Sequence, residues 1–242
     1  MEQLIKQPVA EREVAVSDWL GSAYLPSGAS VRRFVFRASA VVIVIGWVRE
    51  FFRVILGIGA EGTSFFNLNG EQNLGAWYSA TMLAVCAFVL LTAGRRARAE
   101  MRPWGWFWFV LSLTFAAMSI DEASSIHEMF MNVIKEHWHT AGPFTYAWVI
   151  PALVMVPAFG LCSVPFLLSL PRRTAVWFVV SGAIYVSGAL GCEMIEGMLD
   201  PNGAPFVLTY LIEESLEIIG FSSFFFAIID HLERGYRARP ER

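Results

Sequence analysis

Charged residues are scarce in this 242-residue chain, at 16% of the total, whereas a typical soluble domain carries about 25%. The hydrophobic fraction is 56%, and the mean hydropathy is +0.52. The net charge is −3, and the sequence does not have the basic balance that usually accompanies a nucleic-acid partner. We therefore expect no nucleic-acid partner and predict a chain whose main partner is the lipid bilayer.

Cysteine is also rare, and several common functional motifs are missing. The three cysteines, Cys86, Cys162 and Cys192, lie within or at the ends of apolar segments. They are too few and too widely spaced for a disulfide framework, so we expect free thiols. The sequence has no nucleotide-binding loop, no nucleophile triad and no internal repeat, which argues against those enzyme classes and against the usual inverted-repeat transporters. Its N-terminus lacks the basic start and the apolar run that are typical of a signal peptide.

Six apolar segments come near the roughly 20 residues that a membrane-spanning helix needs. They are Phe34 to about Ile58, Leu74 to Ala93, Pro103 to Ile120, about Tyr146 to Leu170, Thr174 to about Glu193, and Phe206 to Ile229. The predicted fold class is an all-α integral membrane protein, a bundle of six transmembrane helices. The predicted domain organisation is a cytoplasmic N-terminal segment over 1–33, the transmembrane domain over 34–230 and a basic cytoplasmic tail over 231–242.

The position of the arginines predicts the orientation of the bundle, because short cytoplasmic loops are enriched in Lys and Arg. Four clusters lie on the same side of a six-helix topology: Arg32, Arg33 and Arg37; Arg95, Arg96, Arg98 and Arg102; Arg172 and Arg173; and Arg234, Arg237, Arg239 and Arg242. In the loops on the opposite side, Lys135 is the only Lys or Arg residue. Both termini are therefore predicted to be cytoplasmic, as in a protein of the bacterial inner membrane. The stretch from Val14 to Leu25 is expected either to lie on the membrane surface or to be a plain tail.

Three of the predicted helices carry acidic residues where they approach the outer side. The residues are Asp121, Glu122, His127 and Glu128 on the third helix, Glu193 and Glu196 on the fifth, and Glu213, Glu214 and Glu217 on the sixth. At about 1.5 Å per residue, Glu217 would lie roughly 16 Å inward of Phe206. The spacings within the fifth and sixth helices place each pair on one helical face. If the third helix continues through Ala123–Glu136, its polar residues, including Asp121 and Glu128, form a polar stripe along one side of the helix.

These acids lead to a hypothesis of cation binding. A carboxylate within the bilayer costs about 2.5–3.5 kcal/mol on insertion scales and usually has a partner. The only bases expected on this side are Arg49, Arg53 and Lys135, and Glu50 is expected to pair with the two arginines. Protons or bound cations would then balance the remaining acids. Oxygen ligands with one imidazole favour Fe or Mn, and Zn, Ca or Cu are alternatives. The Glu-x-x-His motif of dinuclear carboxylate bundles is absent.

The leading functional hypothesis is a membrane metalloprotein with its site near the outer face, between the third, fifth and sixth helices. The expected metal ligands are Glu213, Glu217, Glu193 and His127, followed by Glu196, Glu128, Asp121, Glu214 and Glu122. Such a site would suit a metal-dependent enzyme acting on a lipid or other apolar substrate, although the sequence does not decide whether there is a reaction. The alternatives are a proton- or cation-coupled transporter and an accessory subunit, with a membrane-protein partner or a second copy of the chain as its companion.

Overall fold

The computed structural model describes residues 27–57, 62–70, 72–137 and 139–237, and within these ranges every regular element is helical. The predicted surface segment near Val14–Leu25 lies outside the described residues. The elements are α1 (Gly28–Leu56), a 3₁₀ turn (Ser64–Phe66), α2 (Leu74–Ala99), α3 (Phe107–Ser124), α4 (Ile126–His137), a 3₁₀ turn (Gly142–Phe144), α5 (Val149–Ser169), α6 (Arg172–Val186), a π-helical segment (Ser187–Cys192), α7 (Glu193–Glu196) and α8 (Ala204–Arg237).

A helix covers each of the six apolar segments that the sequence predicts. Three helices, Leu74–Ala99, Val149–Ser169 and the run Arg172–Glu196, are each long and apolar enough to cross a membrane. The bent pair α3–α4 adds a fourth if it counts as one span. The described part of the chain is therefore an all-helical membrane protein with three to four helices that meet these criteria.

Helix α8 is the central helix, and it packs against α1, α2 and α6. Its Ile218 and Phe221 are almost completely buried in the largest apolar cluster. A buried hydroxyl network joins three helices, since Ser39 of α1 lies 2.7 Å from the Tyr78 hydroxyl of α2 and 2.8 Å from the Ser222 hydroxyl of α8. Such polar contacts hold helices together where lipid offers no hydrogen bonds.

The arginine-rich loops meet at the C-terminal end of α8. Arg32 forms an ion pair with Glu233 at 2.7 Å, and Arg173 forms one with Asp230 at 3.2 Å. Arg96 donates to the backbone carbonyl of Leu232 at 3.3 Å. These three clusters therefore lie at the same end of the bundle as Arg234 of the fourth, which pairs with Asp230 at 2.9 Å.

Helices α6 and α8 approach closely through two glycines. A Cβ added at Gly188 would lie 2.9 Å from the carbonyl oxygen of Glu213, and one at Gly220 would lie 2.8 Å from the backbone nitrogen of Tyr185. Gly188 is thus a packing position, whereas nothing lies within 4 Å of a Cβ at Gly182 of α6. Small residues allow the backbones of membrane helices to approach one another.

The expectation that the third predicted helix continues straight through Ala123–Glu136 is wrong. Helix α3 ends at Ser124, and Ser125 follows in the left-handed conformation with φ 49°. Helix α4 then leaves at a bend of 75°. The bend divides the predicted polar stripe between two helices of different direction.

Other local predictions are confirmed. Cys86, Cys162 and Cys192 are free thiols. Glu50 pairs with both Arg49 and Arg53. The sequence Asp-Pro-Asn-Gly is typical of a tight turn, and it forms one before α8, with the backbone nitrogen of Gly203 donating to the carbonyl of Asp200 at 2.8 Å.

Replacing Gly220 by Ala should destabilise the bundle, because the new methyl group would overlap the backbone of Tyr185. Overpacking of this kind costs about 1–3 kcal/mol. We expect a melting temperature several degrees lower in detergent, measured by the fluorescence of the purified protein on heating. Gly182→Ala is the matched control: it makes the same helix-propensity change at an open site, and it should leave the melting temperature unchanged or slightly raised. Equal melting temperatures for the two variants would contradict the close approach.

Candidate carboxylate site

The acidic residues of the candidate site come from three parts of the fold. The π-helical segment and α7 place Glu193 and Glu196 at the end of α6. Helix α8 carries Glu213 and Glu217, and the close approach at Gly188 brings both residues against the π-helical segment. A π segment inside an α-helix is often found at a functional site. Here it lies between the α6 helix and the two glutamates of α7.

The centre of the site is the pair Glu196 and Glu213. The side chain of Glu196 is 5% exposed and lies against the carboxyl group of Glu213 and the phenol of Tyr146. Its Oε1 atom is buried and has no hydrogen-bond partner among the described residues. Oε2 of Glu193 and the indole nitrogen of Trp148 are also buried and form no hydrogen bond of good geometry, although the two groups lie close enough to interact. Buried polar atoms without partners are rare in native proteins and call for an explanation such as a bound ion.

Glu217 links this centre to the third part of the fold. It interacts with the Tyr185 hydroxyl and, electrostatically, with Glu122, Glu193 and His127. Tyr185 is in turn within electrostatic range of Glu122 and Asp121. The end of α3 and the start of α4 therefore lie beside the glutamates of α8.

Asp121 and His127 form the best-defined polar contact of the site. Asp121 Oδ2 lies 3.0 Å from His127 Nδ1, and Asp121 Oδ1 accepts from the backbone nitrogen of His127 at 2.8 Å. The carboxylate thus satisfies an amide in the first turn of α4, as a capping residue does. The His127 ring also lies 5.6 Å from that of Trp148, measured between ring centroids. These contacts fix the orientation of the imidazole and leave its Nε2 atom on the other side of the ring.

The predicted site residues divide into a central group of glutamates, a group at its edge, and the two outlying acids Glu128 and Glu214. Glu193, Glu196, Glu213 and Glu217 lie together, and Asp121, Glu122 and His127 lie at their edge. Glu128 is exposed but remains within electrostatic range of His127 and Glu193. Glu214 is half-buried beside Glu213 on α8. The bases expected near the site are Arg49 and Arg53, which are occupied by Glu50, and Lys135, which is exposed on α4.

The arrangement is not that of a preformed metal-binding site. Over the ranges that the structure describes, no group of three or more His, Cys, Asp or Glu side chains is placed so that it could hold a metal ion. The carboxyl groups lie near one another, yet their oxygens do not point at a common centre. Binding of a metal ion would therefore require rotation of side chains such as Glu196 and Glu193, which have unpartnered oxygens.

Sequence reasoning missed Tyr146, Trp148 and the π-helical segment. The first two follow the Gly142–Phe144 turn, which lies against the end of α7: Thr145 Oγ1 donates to the carbonyl of Gly197 at 2.9 Å. The aromatic pair in Tyr-Ala-Trp resembles an interfacial aromatic belt in sequence, so it gives no sign of contact with the glutamates. The only sequence signal for the π-helical segment is its pair of closely spaced glycines, Gly188 and Gly191.

Comparison with known proteins identifies a family. A family model described as "Domain of unknown function (DUF8692)" matches residues 32–232 of the chain. No curated protein and no solved structure matches the chain. The matched range contains every residue of the carboxylate site.

Replacing Asp121 by Ala should loosen the first turn of α4, because the His127 amide and imidazole lose the same partner. The loss of a helix cap costs about 1 kcal/mol. We expect faster hydrogen exchange over residues 126–130, measured by mass spectrometry of the purified protein. Asp121→Asn, which keeps an acceptor oxygen, should show a smaller increase. Ser124→Ala, at an exposed position on the same turn, is the control. No difference between Asp121→Ala and this control would contradict the capping role.

Proposed function

The chain belongs to the DUF8692 family, and we propose that its carboxylate site binds a divalent metal ion within an integral membrane protein of the bacterial inner membrane. In this proposal all six long helices cross the bilayer and both termini lie in the cytoplasm. The site then opens toward the outer face. Because the family description names no function, the proposal is based on the chemistry of the site.

The observation that supports it most is the buried, unpartnered Oε1 of Glu196 next to the carboxyl group of Glu213. Two carboxylates in contact at membrane depth repel each other unless a proton or a cation lies between them. Glu193 adds a second unpartnered oxygen. A divalent cation would neutralise two of these groups and satisfy the free oxygens together.

The environment of His127 supports a role as the nitrogen ligand. A metal-binding histidine usually directs its second ring nitrogen toward a carboxylate, which fixes the ring. Asp121 provides such a contact at Nδ1 of His127, at 3.0 Å, so Nε2 would be the ligand atom. We assign Glu213, Glu217 and Glu193 as the main oxygen ligands, Glu196 as an additional ligand, and Asp121 as the residue that orients His127.

The donor set determines which metals fit. Glutamate oxygens with one imidazole suit Fe or Mn best, and Zn, Ca or Cu would fit less well. If the metal ion supports a reaction, the membrane depth of the site favours a lipid or another apolar molecule as the substrate. The side chains of this chain would then supply the ligands and the proton-carrying groups, with Glu196 and Tyr146 as the nearest of the latter.

Metal analysis of the purified protein tests the proposal. After supply of Fe, Mn, Zn, Cu and Ca, the unaltered protein should retain about one metal ion per chain, and the double variant Glu196→Gln/Glu213→Gln should lose it. Glu136→Gln, an exposed acid on α4, is the control and should retain the metal ion. Absence of metal from the unaltered protein, or equal metal in the double variant, would overturn the proposal.

The orientation has its own test. Asn202 lies in the turn before α8, at the end of the bundle that holds the carboxylate site. Arg98 lies in the last turn of α2, at the arginine-rich end of the bundle. In intact cells, a membrane-impermeant maleimide should label Asn202→Cys and should not label Arg98→Cys. The unaltered chain gives the background labelling of its three natural thiols. Labelling of Arg98→Cys alone would reverse the proposed orientation.

The second candidate function is proton or cation coupling at the same acids. The contact between Glu196 and Glu213 supports it, since a carboxyl and a carboxylate in contact share a proton readily. The opposite half of the bundle is less favourable for transport, because aromatic residues such as Trp108, Phe178 and Phe224 are packed there. The packed core therefore agrees better with a binding site that is open on one side than with a transport pathway through the bundle.

A further inference from the structure

A groove lies on α1, and none of its lining residues is an acid of the carboxylate site. Its volume is about 380 Å³, and most of its lining is apolar. The lining residues are Val44, Ile45, Val48, Arg49, Phe52, Arg53, Thr63 and Phe66. Along α1 the apolar residues begin at Val44 and the arginines follow at Arg49 and Arg53, so the groove is apolar at one end and cationic at the other.

The cationic end has a surplus of positive charge. Glu50 is 1% exposed and pairs with Arg49 and, at 2.6 Å, with Arg53. Two guanidinium groups against one carboxylate leave a net charge of about +1. Both arginines line the groove, where the side chain of Arg53 is 37% exposed and that of Arg49 is 11% exposed. The groove therefore provides donor groups that an external anion could use.

The dimensions of the groove suit the part of a lipid where the headgroup joins the upper half of one acyl chain. Val44 and Arg53 are nine residues apart on a helix, which corresponds to about 13 Å. The cationic end lies beside Phe65 and Phe66, whose rings pack edge to face at 5.3 Å, and aromatic residues are common at the level of lipid headgroups. The apolar end then lies at the depth of the acyl chains.

We propose that this groove binds one anionic phospholipid, with its phosphate at Arg49 and Arg53 and one acyl chain along Val44, Val48 and Phe52. Guanidinium groups bind phosphate through paired hydrogen bonds. The surplus positive charge favours an anionic headgroup over a zwitterionic one, whose cationic group would lie close to the two arginines. This site does not depend on the proposed metal binding.

Native mass spectrometry of the delipidated protein in detergent tests the proposal. Phosphatidylglycerol should bind to one site per chain more tightly than phosphatidylcholine. Arg53→Gln should weaken phosphatidylglycerol binding about fivefold, as expected for the loss of one partly exposed charge-assisted hydrogen bond. Arg98→Gln, which removes an exposed arginine of the α2 helix, is the matched control and should bind like the unaltered protein. Equal binding of the two lipids, or no effect of Arg53→Gln, would overturn the proposal.

A second variant tests the apolar half without changing any charge. Val48→Trp should fill the groove and reduce the binding of phosphatidylglycerol at this site. Val48 is 46% exposed, so the larger side chain has space and the fold should tolerate it, which an unchanged melting temperature would show. Undiminished lipid binding by a folded Val48→Trp variant would exclude the groove as the acyl-chain site.

Discussion

The electrostatic cost of a buried carboxylate is the constraint on which the rest of this structure depends. Such a group is stable only with a cation, a proton or a set of hydrogen-bond donors beside it. The chain meets this requirement in two different ways. Glu50 has two arginines of its own helix, whereas the glutamates of α7 and α8 lie mainly against one another and against tyrosines. The arrangement of the α7 and α8 glutamates is the unusual one, and it indicates a functional role for these residues.

Close packing of helices is what brings these acids together. The glycines at the contact of α6 and α8 remove the side chains that would hold the backbones apart, and the π-helical segment turns α7 toward α8. The bend at Ser125 returns His127 to the same region. Each of these features weakens the regular helix locally, since a glycine, a π segment and a left-handed serine all cost free energy. Their coincidence around one cluster of acids is consistent with a functional site.

The same constraint accounts for the two arginines of α1. They neutralise Glu50 and still leave one positive charge at the edge of an apolar groove. This pairing gives each of the two arginines a partner within the chain. A membrane-protein partner and a homo-oligomer remain predictions from the sequence.

Much of the fold could be predicted because its signals are local. The six apolar segments, the Glu50 ion pairs and the turn at Asp200–Gly203 each depend on residues that are close in sequence. The bend at Ser125 could not be predicted, because a serine in the left-handed conformation is uncommon and the surrounding residues favour a helix. The positions of Tyr146 and Trp148 depend on the contact of Thr145 with Gly197, which no sequence pattern indicates. The grouping of the glutamates of α7 and α8 was therefore predictable from the sequence, whereas their exact neighbours were not.

Binding of a metal ion by the clustered carboxyl groups, the proposed function, would displace the protons that these groups hold without the metal. Infrared difference spectroscopy of the purified protein before and after addition of Mn²⁺ tests it most directly, because protonated carboxyl groups and carboxylates absorb at different frequencies. The account predicts loss of protonated carboxyl bands and gain of carboxylate bands, and both changes should be absent in Glu196→Gln/Glu213→Gln. Spectra of the unaltered protein that do not change on addition of the metal ion would contradict it.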